Sequence, residues 1–322
     1  MKKQVANQVT LFLVSSALLI NASGAGAESL ISGFADILYR DGQSENSSFQ
    51  MGAFEIDFET AISDQVSFEG AVVVEDGEAA LGQTLVDFSI IKEKLGLQAG
   101  LIDIPFGIDC HTFAACDRKL ISPPITTELM MDGGWGDTGI NLHGETSILN
   151  YNLFAVNGMG VDTSSAPVNQ TADNNNSKTY GGRIGVSPAK QLELGFSFAQ
   201  GPYLDDDSKK LWQRTGADVR FYAGGLELKG EYLSGKEDLP ATGENKHSGF
   251  YVQALMKIYE KTYGALRLGE WKSDGGSKIE RTTITVGYDM TESVSIRGEY
   301  LITGETPSVN NNSVALQTVI SF

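Results

Sequence analysis

The sequence predicts an all-β chain: a transmembrane, antiparallel, up-and-down β-barrel of about 16 strands, with a long third loop folded into the lumen. Three observations predict it. Short runs of alternating polarity follow one another along nearly the whole chain. The connections between them alternate between tight and long. The last run, Asn312–Phe322, closes on an aromatic residue, with Val314, Leu316, Thr318, Ile320 and Phe322 on one face of an extended strand. Such a strand pairs with the first strand of a barrel and sets its Phe in an interfacial aromatic girdle. It is the kind of terminal strand that barrel assembly machinery reads.

Residues 1–27 have the form of a secretory signal peptide. Lys2 and Lys3 are followed by the apolar run Val9–Ile20 and the small-residue site Ala25-Gly26-Ala27. Removal after Ala27 leaves 28–322 as a single barrel domain. The formal charge then moves from −17 to −19, because two lysines and no acidic residue leave with the peptide. That balance excludes nucleic acid as a partner. It does not oppose a membrane, since a barrel meets lipid and lipopolysaccharide with an apolar band.

The expected strands are Leu30–Arg40, Phe49–Ala61, Gln65–Glu75, Ala79–Ile91, Leu95–Asp103, Asp137–Glu145, Leu149–Gly158, Thr179–Ser187, Gln191–Gly201, Leu211–Phe221, Leu226–Ser234, His247–Lys257, Tyr263–Trp271, Lys278–Asp289, Val294–Ile302 and Asn312–Phe322. Each has the length a tilted membrane strand needs, about 9–11 residues. The same pattern admits 14 or 18 strands. Odd-numbered connections are the longer ones, Asp76–Glu78 excepted. The longest are Ile104–Gly136, Met159–Lys178, Pro202–Lys210 and Gly235–Lys246. Asp173–Ser177, Asp205–Asp207 and Asn310–Asn312 read as exposed tips. Tight turns at the end that holds both termini and long loops at the other are what an outer-membrane barrel requires.

The faces separate clearly in the later strands. Leu192, Leu194, Phe196 and Phe198 oppose Glu193, Gly195, Ser197 and Ala199. Ile296 and Tyr300 oppose Ser295, Arg297 and Glu299. Placing the charged face inward gives a candidate pore lining. Glu55, Asp57, Glu59, Glu69 and Asp87 form an acidic arc, and Arg183, Arg220, Lys229, Arg267, Arg281 and Arg297 form an arginine-bearing arc, with Arg214 and Lys257 beside them. Opposed walls set a transverse field, and lining charges set ion preference. The solvated alternative pairs these cations with neighbours such as Glu227, Glu231 and Glu299.

The third loop, Ile104–Gly136, carries Asp109, His111, Asp117, Arg118 and Lys119 as candidate constriction residues. Its apolar content sends it into the lumen. In an exported protein Cys110 and Cys116 default to a disulfide at its tip. A metal held by Cys110, His111, Cys116 and Asp109 or Asp117 lacks the paired spacing of zinc sites. No cofactor motif stands out, and C-x-x-C-H is absent.

Three stretches carry a resemblance: Gly100–Asp109 (GLIDIPFGID), Gly134–Glu145 (GWGDTGINLHGE) and Tyr151–Gly160 (YNLFAVNGMG). The Pro-Phe-Gly after a strand, the Asp-Thr-Gly starting the next and the Asn-Gly ending the one after resemble the phosphate-selective porin O/P family and related porins. The resemblance spans about 60 residues. It implies a homotrimeric, 16-stranded channel with an inward third loop. Phosphate selectivity is not carried over: it rests on arginine ladders and lysine clusters with no placed counterpart here, and Asp57, Glu59 and Glu69 point the opposite way.

The expected function is therefore a porin: passive diffusion of ions and small hydrophilic solutes, biased toward cations by the acidic wall, without enzymatic chemistry. A plugged barrel serving as a structural sleeve or adhesin is the alternative, as is a soluble periplasmic β protein. A barrel hydrolase needs a base beside an activated nucleophile. The three histidines are His111 in the loop, His143 inward beside Asn141 and Glu145, and His247 at a strand start; no G-x-S-x-G is present.

Overall fold

The structure, a computed structural model, describes residues 18–19, 29–43, 46–112, 114–161, 167–168, 172–204, 207–241, 243–306 and 309–322. The expected signal peptide lies outside the described residues except for Leu18 and Leu19, and so do Asp205 and Asp206.

Sixteen long strands make one sheet that closes on itself. They are β1 (Ser29–Gly42), β2 (Ser48–Ser63), β3 (Val66–Glu75), β4 (Glu78–Ile91), β5 (Leu95–Asp103), β6 (Gly136–Glu145), β7 (Leu149–Val156), β8 (Thr179–Ala189), β9 (Leu192–Leu204), β10 (Asp207–Ala223), β11 (Leu226–Asp238), β12 (Glu244–Tyr259), β13 (Thr262–Ser273), β14 (Lys278–Asp289), β15 (Val294–Thr306) and β16 (Ser313–Ser321). Every consecutive pair is antiparallel. Closure comes from β1 against β16, in register from Phe34 with Ser321 to Gly42 with Ser313. Phe322 extends the seam by exchanging backbone hydrogen bonds of 3.0 Å with Gly33. Closure leaves no unpaired edge, which is what allows a sheet to sit in hydrocarbon.

The polarity is inverted relative to a water-soluble sandwich. On β9, Leu194, Phe196 and Phe198 are exposed on the outer face, whereas Ser197 and Ala199 are buried. On β15, Ile296 and Tyr300 face outward, and Arg297 and Glu299 are buried inside. On β16, Val314, Leu316 and Ile320 face out, and Gln317 is buried. An exposed apolar exterior around a buried charged interior is the pattern of a membrane barrel.

Strands on the long-loop side run further than the sequence pattern suggests. β9 reaches Leu204 and β10 begins at Asp207, with Leu204 opposite Asp207, so most of the expected loop 202–210 is strand. β11 reaches Asp238 and β15 reaches Thr306 in the same way. Their ladders continue past the apolar band, where polar residues pair as readily as apolar ones, so hydropathy stops short of the true ends.

Phe196→Arg places a charge on the outer band. It is expected to lower stability in lipid by about 2–4 kcal/mol, read by urea unfolding in vesicles. Unchanged stability would mean that this face does not meet lipid.

Candidate functional site

The β5–β6 connection, residues 104–135, enters the barrel. Ile104, Phe106, Ile108, Leu120, Ile121, Met130, Met131 and Trp135 cannot face water together, and all are buried. Ile104, Phe106, Met130, Met131 and Trp135 pack with wall residues Leu85, Phe154, Trp212, Leu233 and Trp271 into one cluster, and Ile121 packs separately with Leu38 and Ala315. Trp135 lies edge-on to Phe154 at 5.4 Å and to Trp212 at 5.3 Å. The short helix α1 (Ile125–Met130) packs against β11–β13. Gly269 on β13 permits that approach: a Cβ there would lie 2.9 Å from Ile125 Cγ2.

A loop inside a barrel has no ladder, so its backbone groups need side-chain partners. The wall provides them. The Glu231 carboxylate accepts from Ile108 N at 2.7 Å, and Ser197 Oγ accepts from Gly107 N at 2.9 Å. Glu299 accepts from Ile121 N and Ser122 N, both at 2.9 Å. Three arginines donate to loop carbonyls: Arg220 to Ile108 at 3.2 Å, Arg267 to Ser122 and Pro123 at 2.9 Å, and Arg297 to Ala115 at 2.7 Å. Tyr263 donates to Lys119 O at 2.8 Å, and Arg281 forks onto Glu128 of α1. Asp109 receives Lys229 Nζ at 2.6 Å and the Tyr251 hydroxyl. Gly107 has a φ of +65°, and a Cβ there would meet Glu231 Oε1 at 2.0 Å, so the anchor requires glycine at this turn.

The arginine-bearing arc therefore does not face an open lumen. Arg220, Lys229, Arg267, Arg281 and Arg297 are occupied by the loop. Arg183 is occupied by wall groups, chiefly Asp218 at 2.6 Å and Glu193 at 2.8 Å. Glu231 and Glu299, read from sequence as partners of the arginines, instead hold loop N–H groups. Their signal was inward position alone, which does not distinguish a lining carboxylate from an anchor.

The acidic arc does lie together on neighbouring strands. Glu59 sits opposite Glu69, which accepts from Gln83 at 2.9 Å. Asp87 meets His143 at 3.1 Å. Glu55 and Asp57 are buried, and their four oxygens find no hydrogen-bond donor among the described residues. Of the candidate constriction residues, Asp109 is an anchor and Lys119 pairs with Asp289 at 3.1 Å. Asp117 stands beside Cys116. His111 is held neutral, its pKa pushed down to about 4 by burial and then by Arg220.

The expected disulfide is not formed: Cys110 and Cys116 are free thiols. Cys110 packs in the Trp135 cluster, whereas Cys116 packs beside Phe34, Ala114 and Val319. The loop drives the two side chains into different apolar clusters, and wall anchors take over the role of a staple. Burial raises the pKa of both thiols.

A gap lies between the loop and β1–β3. A cavity of about 250 Å³ is lined by Phe34, Asp36, Glu55, Glu75, Arg118 and Gln317, among others. Arg40 and Ile121 are shared with a wider cavity of about 420 Å³ on the long-loop side. A third cavity of about 450 Å³, beside Lys119 and Arg297, reaches the short turns.

The barrel fold is shared with solved bacterial outer-membrane proteins. An anion-selective porin from Comamonas acidovorans superposes with a TM-score of 0.72 at 10% identity, covering 92% of this chain and all of that one. The outer-membrane channel DcaP of Acinetobacter baumannii gives 0.68 at 14% identity, covering 95% and 100%. The trimer form of OmpT, an outer-membrane protein of Vibrio cholerae, gives 0.65 at 9% identity, covering 92% and 99%. These likenesses establish the fold: the 16-stranded barrel of outer-membrane porins. No family model matches the chain. A curated uncharacterized protein of Aquifex aeolicus (strain VF5) is 25% identical over 277 residues, covering 70% of this chain; the chain spans 62% of that relative's length.

Two outcomes follow from the anchoring. Glu231→Ala with Glu299→Ala removes acceptors worth about 1.5–3 kcal/mol each and is expected to free the loop, seen as new proteolytic cleavage within 104–135 in an intact barrel. Resistance equal to the unmodified protein would show that apolar packing alone holds the loop. Burial by itself raises the Asp109 pKa, but the Lys229 charge and the hydrogen bonds from Lys229 and Tyr251 outweigh it and hold it at about 2. A depressed pKa means that this anchor acts fully above the ordinary carboxylate value, 3.8, and is lost as pH falls through about 2. Loop protection is therefore expected to persist at pH 4 and to fail near pH 2, whereas Asp109→Asn weakens it at pH 7.

Proposed function

We propose that this chain is a channel of the bacterial outer membrane through which ions and small hydrophilic solutes diffuse passively, without covalent chemistry. The observation that carries the reading is the gap between the inserted loop and the acidic side of a closed barrel with an apolar exterior. A wall without a matching cavity would be a sleeve; here, cavities lie on both sides of the loop.

The charge of the free gap favours cations. Most cations of the arginine-bearing arc are tied to the loop, so they contribute little field to the passage, whereas the gap is lined by three acids, Asp36, Glu55 and Glu75, against two cations, Arg40 and Arg118. Among fixed charges at a narrow, low-dielectric constriction, those without a counter-charge set ion preference. The same engagement of the arginines argues against phosphate as the cargo. The neighbouring Comamonas acidovorans porin is described as anion-selective, so a shared barrel does not fix the sign.

Export by residues 1–27, insertion through the assembly machinery that reads the strand ending at Phe322, contact with lipid and lipopolysaccharide, and assembly as a homotrimer complete the reading. The trimer form of OmpT supports the last of these.

The test is single-channel current from refolded 28–322 in a planar bilayer under a potassium chloride gradient. Steady conductance with a cation-favouring reversal potential is expected, moving toward zero in Glu59→Gln with Glu69→Gln at the short-turn mouth. Anion preference would overturn the charge assignment. A folded, inserted and silent barrel would overturn the channel and favour the plugged sleeve.

A further inference from the structure

Arg118 differs from the other loop-facing arginines. Arg220, Arg267, Arg281 and Arg297 all have loop acceptors. Arg118, half-buried on the loop, has neither a hydrogen bond nor an ion pair with any described residue, and its Nε is withdrawn from water without a partner. A buried guanidinium without an acceptor is costly, and its planar fork suits a carboxylate.

The opposite wall of the cavity has the complementary deficit. Asp36 accepts from Ala53 N and Gln317 Nε2, both at 2.8 Å, and both donors are neutral; the cation it faces is Arg118, which it attracts across the cavity without touching it. The side chain of Glu75, exposed at the long-loop end of β3, makes no ion pair or hydrogen bond with a described residue. Between these charges Phe34, Leu38, Ala53 and Ile121 form an apolar strip, and Glu55 and Gln317 add polar groups beside it. Arg118 and the acids share one cavity of about 250 Å³ without closing a salt bridge across it.

We propose that the gap between Arg118 and the Asp36–Glu75 wall is a binding site for a small zwitterion, a solute with one carboxylate and one ammonium joined by a short alkyl chain. This deepens the channel reading and rests on it. A lone anion would gain Arg118 and meet the acidic wall; a lone cation would gain the wall and meet Arg118. A zwitterion satisfies both sides, and its alkyl segment lies along the apolar strip. Arg40, shared with the outer cavity, places a second cation on the approach from the long-loop side.

The probe is 4-aminobutyrate, with butyrate and butylammonium as single-charge controls. Binding to the full barrel in micelles is measured by calorimetry, and potassium chloride current is measured from the same preparations. The wild-type barrel is expected to bind 4-aminobutyrate about tenfold more tightly than either control, the ratio that about 1.4 kcal/mol represents. Arg118→Gln and Glu75→Gln are each expected to remove that preference, and Arg118→Lys to keep part of it. Heat-dependent gel mobility confirms that each variant folds. Equal binding to wild type and Arg118→Gln, butyrate binding as tightly as the zwitterion, or no binding would overturn the site. Binding without current would overturn the channel and leave the site standing; current without binding would do the reverse.

Discussion

The arrangement depends on how a 32-residue connection, residues 104–135, is satisfied inside a barrel. Its apolar side chains bring it out of water, and its backbone then needs partners that no strand supplies. Glu231 and Glu299 accept its N–H groups, and Arg220, Arg267 and Arg297 donate to its carbonyls. Hydrogen bonds to charged groups are stronger than neutral ones and hold better where water is excluded. Charges that would otherwise line an aqueous bore become structural. On the channel reading proposed above, the passage runs beside β1–β3, where no described loop atom bonds the acids.

This sorting changes what the net charge of the lumen means. Counting inward residues treats every arginine as lining. The structure divides them by whether a loop atom has claimed them. Arg118, carried by the loop itself, has no hydrogen-bond or ion-pair partner among the described residues. The cavity beside β1–β3 thus has a cation on the loop and acids on the wall, and the field across it runs between two different elements. Loop movement would alter one side of that field without altering the other.

Much of the fold was legible in the sequence because a barrel writes its rules locally. Alternation on β9, β15 and β16 named the lipid face, and the order of tight and long connections named the ends. The inward turn of the third loop followed from Leu120, Ile121, Met130 and Met131, which needed cover. What was not legible depended on contacts between distant residues. Glu299 and Ile121 are 178 positions apart, and no periodicity links them. The cysteine pair misled for the same reason: proximity in sequence and export favour a bridge, but Cys110 and Cys116 answer to different clusters. The limits of β9 and β10 were lost because hydropathy reports the membrane band rather than the ladder.

The most direct test of this account is thiol accessibility in a Cys110→Ser, Cys116→Ala background. A charged, membrane-impermeant thiol reagent is applied during current recording to channels carrying either Ala53→Cys, which lines the gap, or Thr283→Cys, which is fully buried on the inner wall. The account predicts rapid modification and current reduction for Ala53→Cys and none for Thr283→Cys. Equal modification of both would show that water reaches the whole wall and that the loop does not divide the lumen.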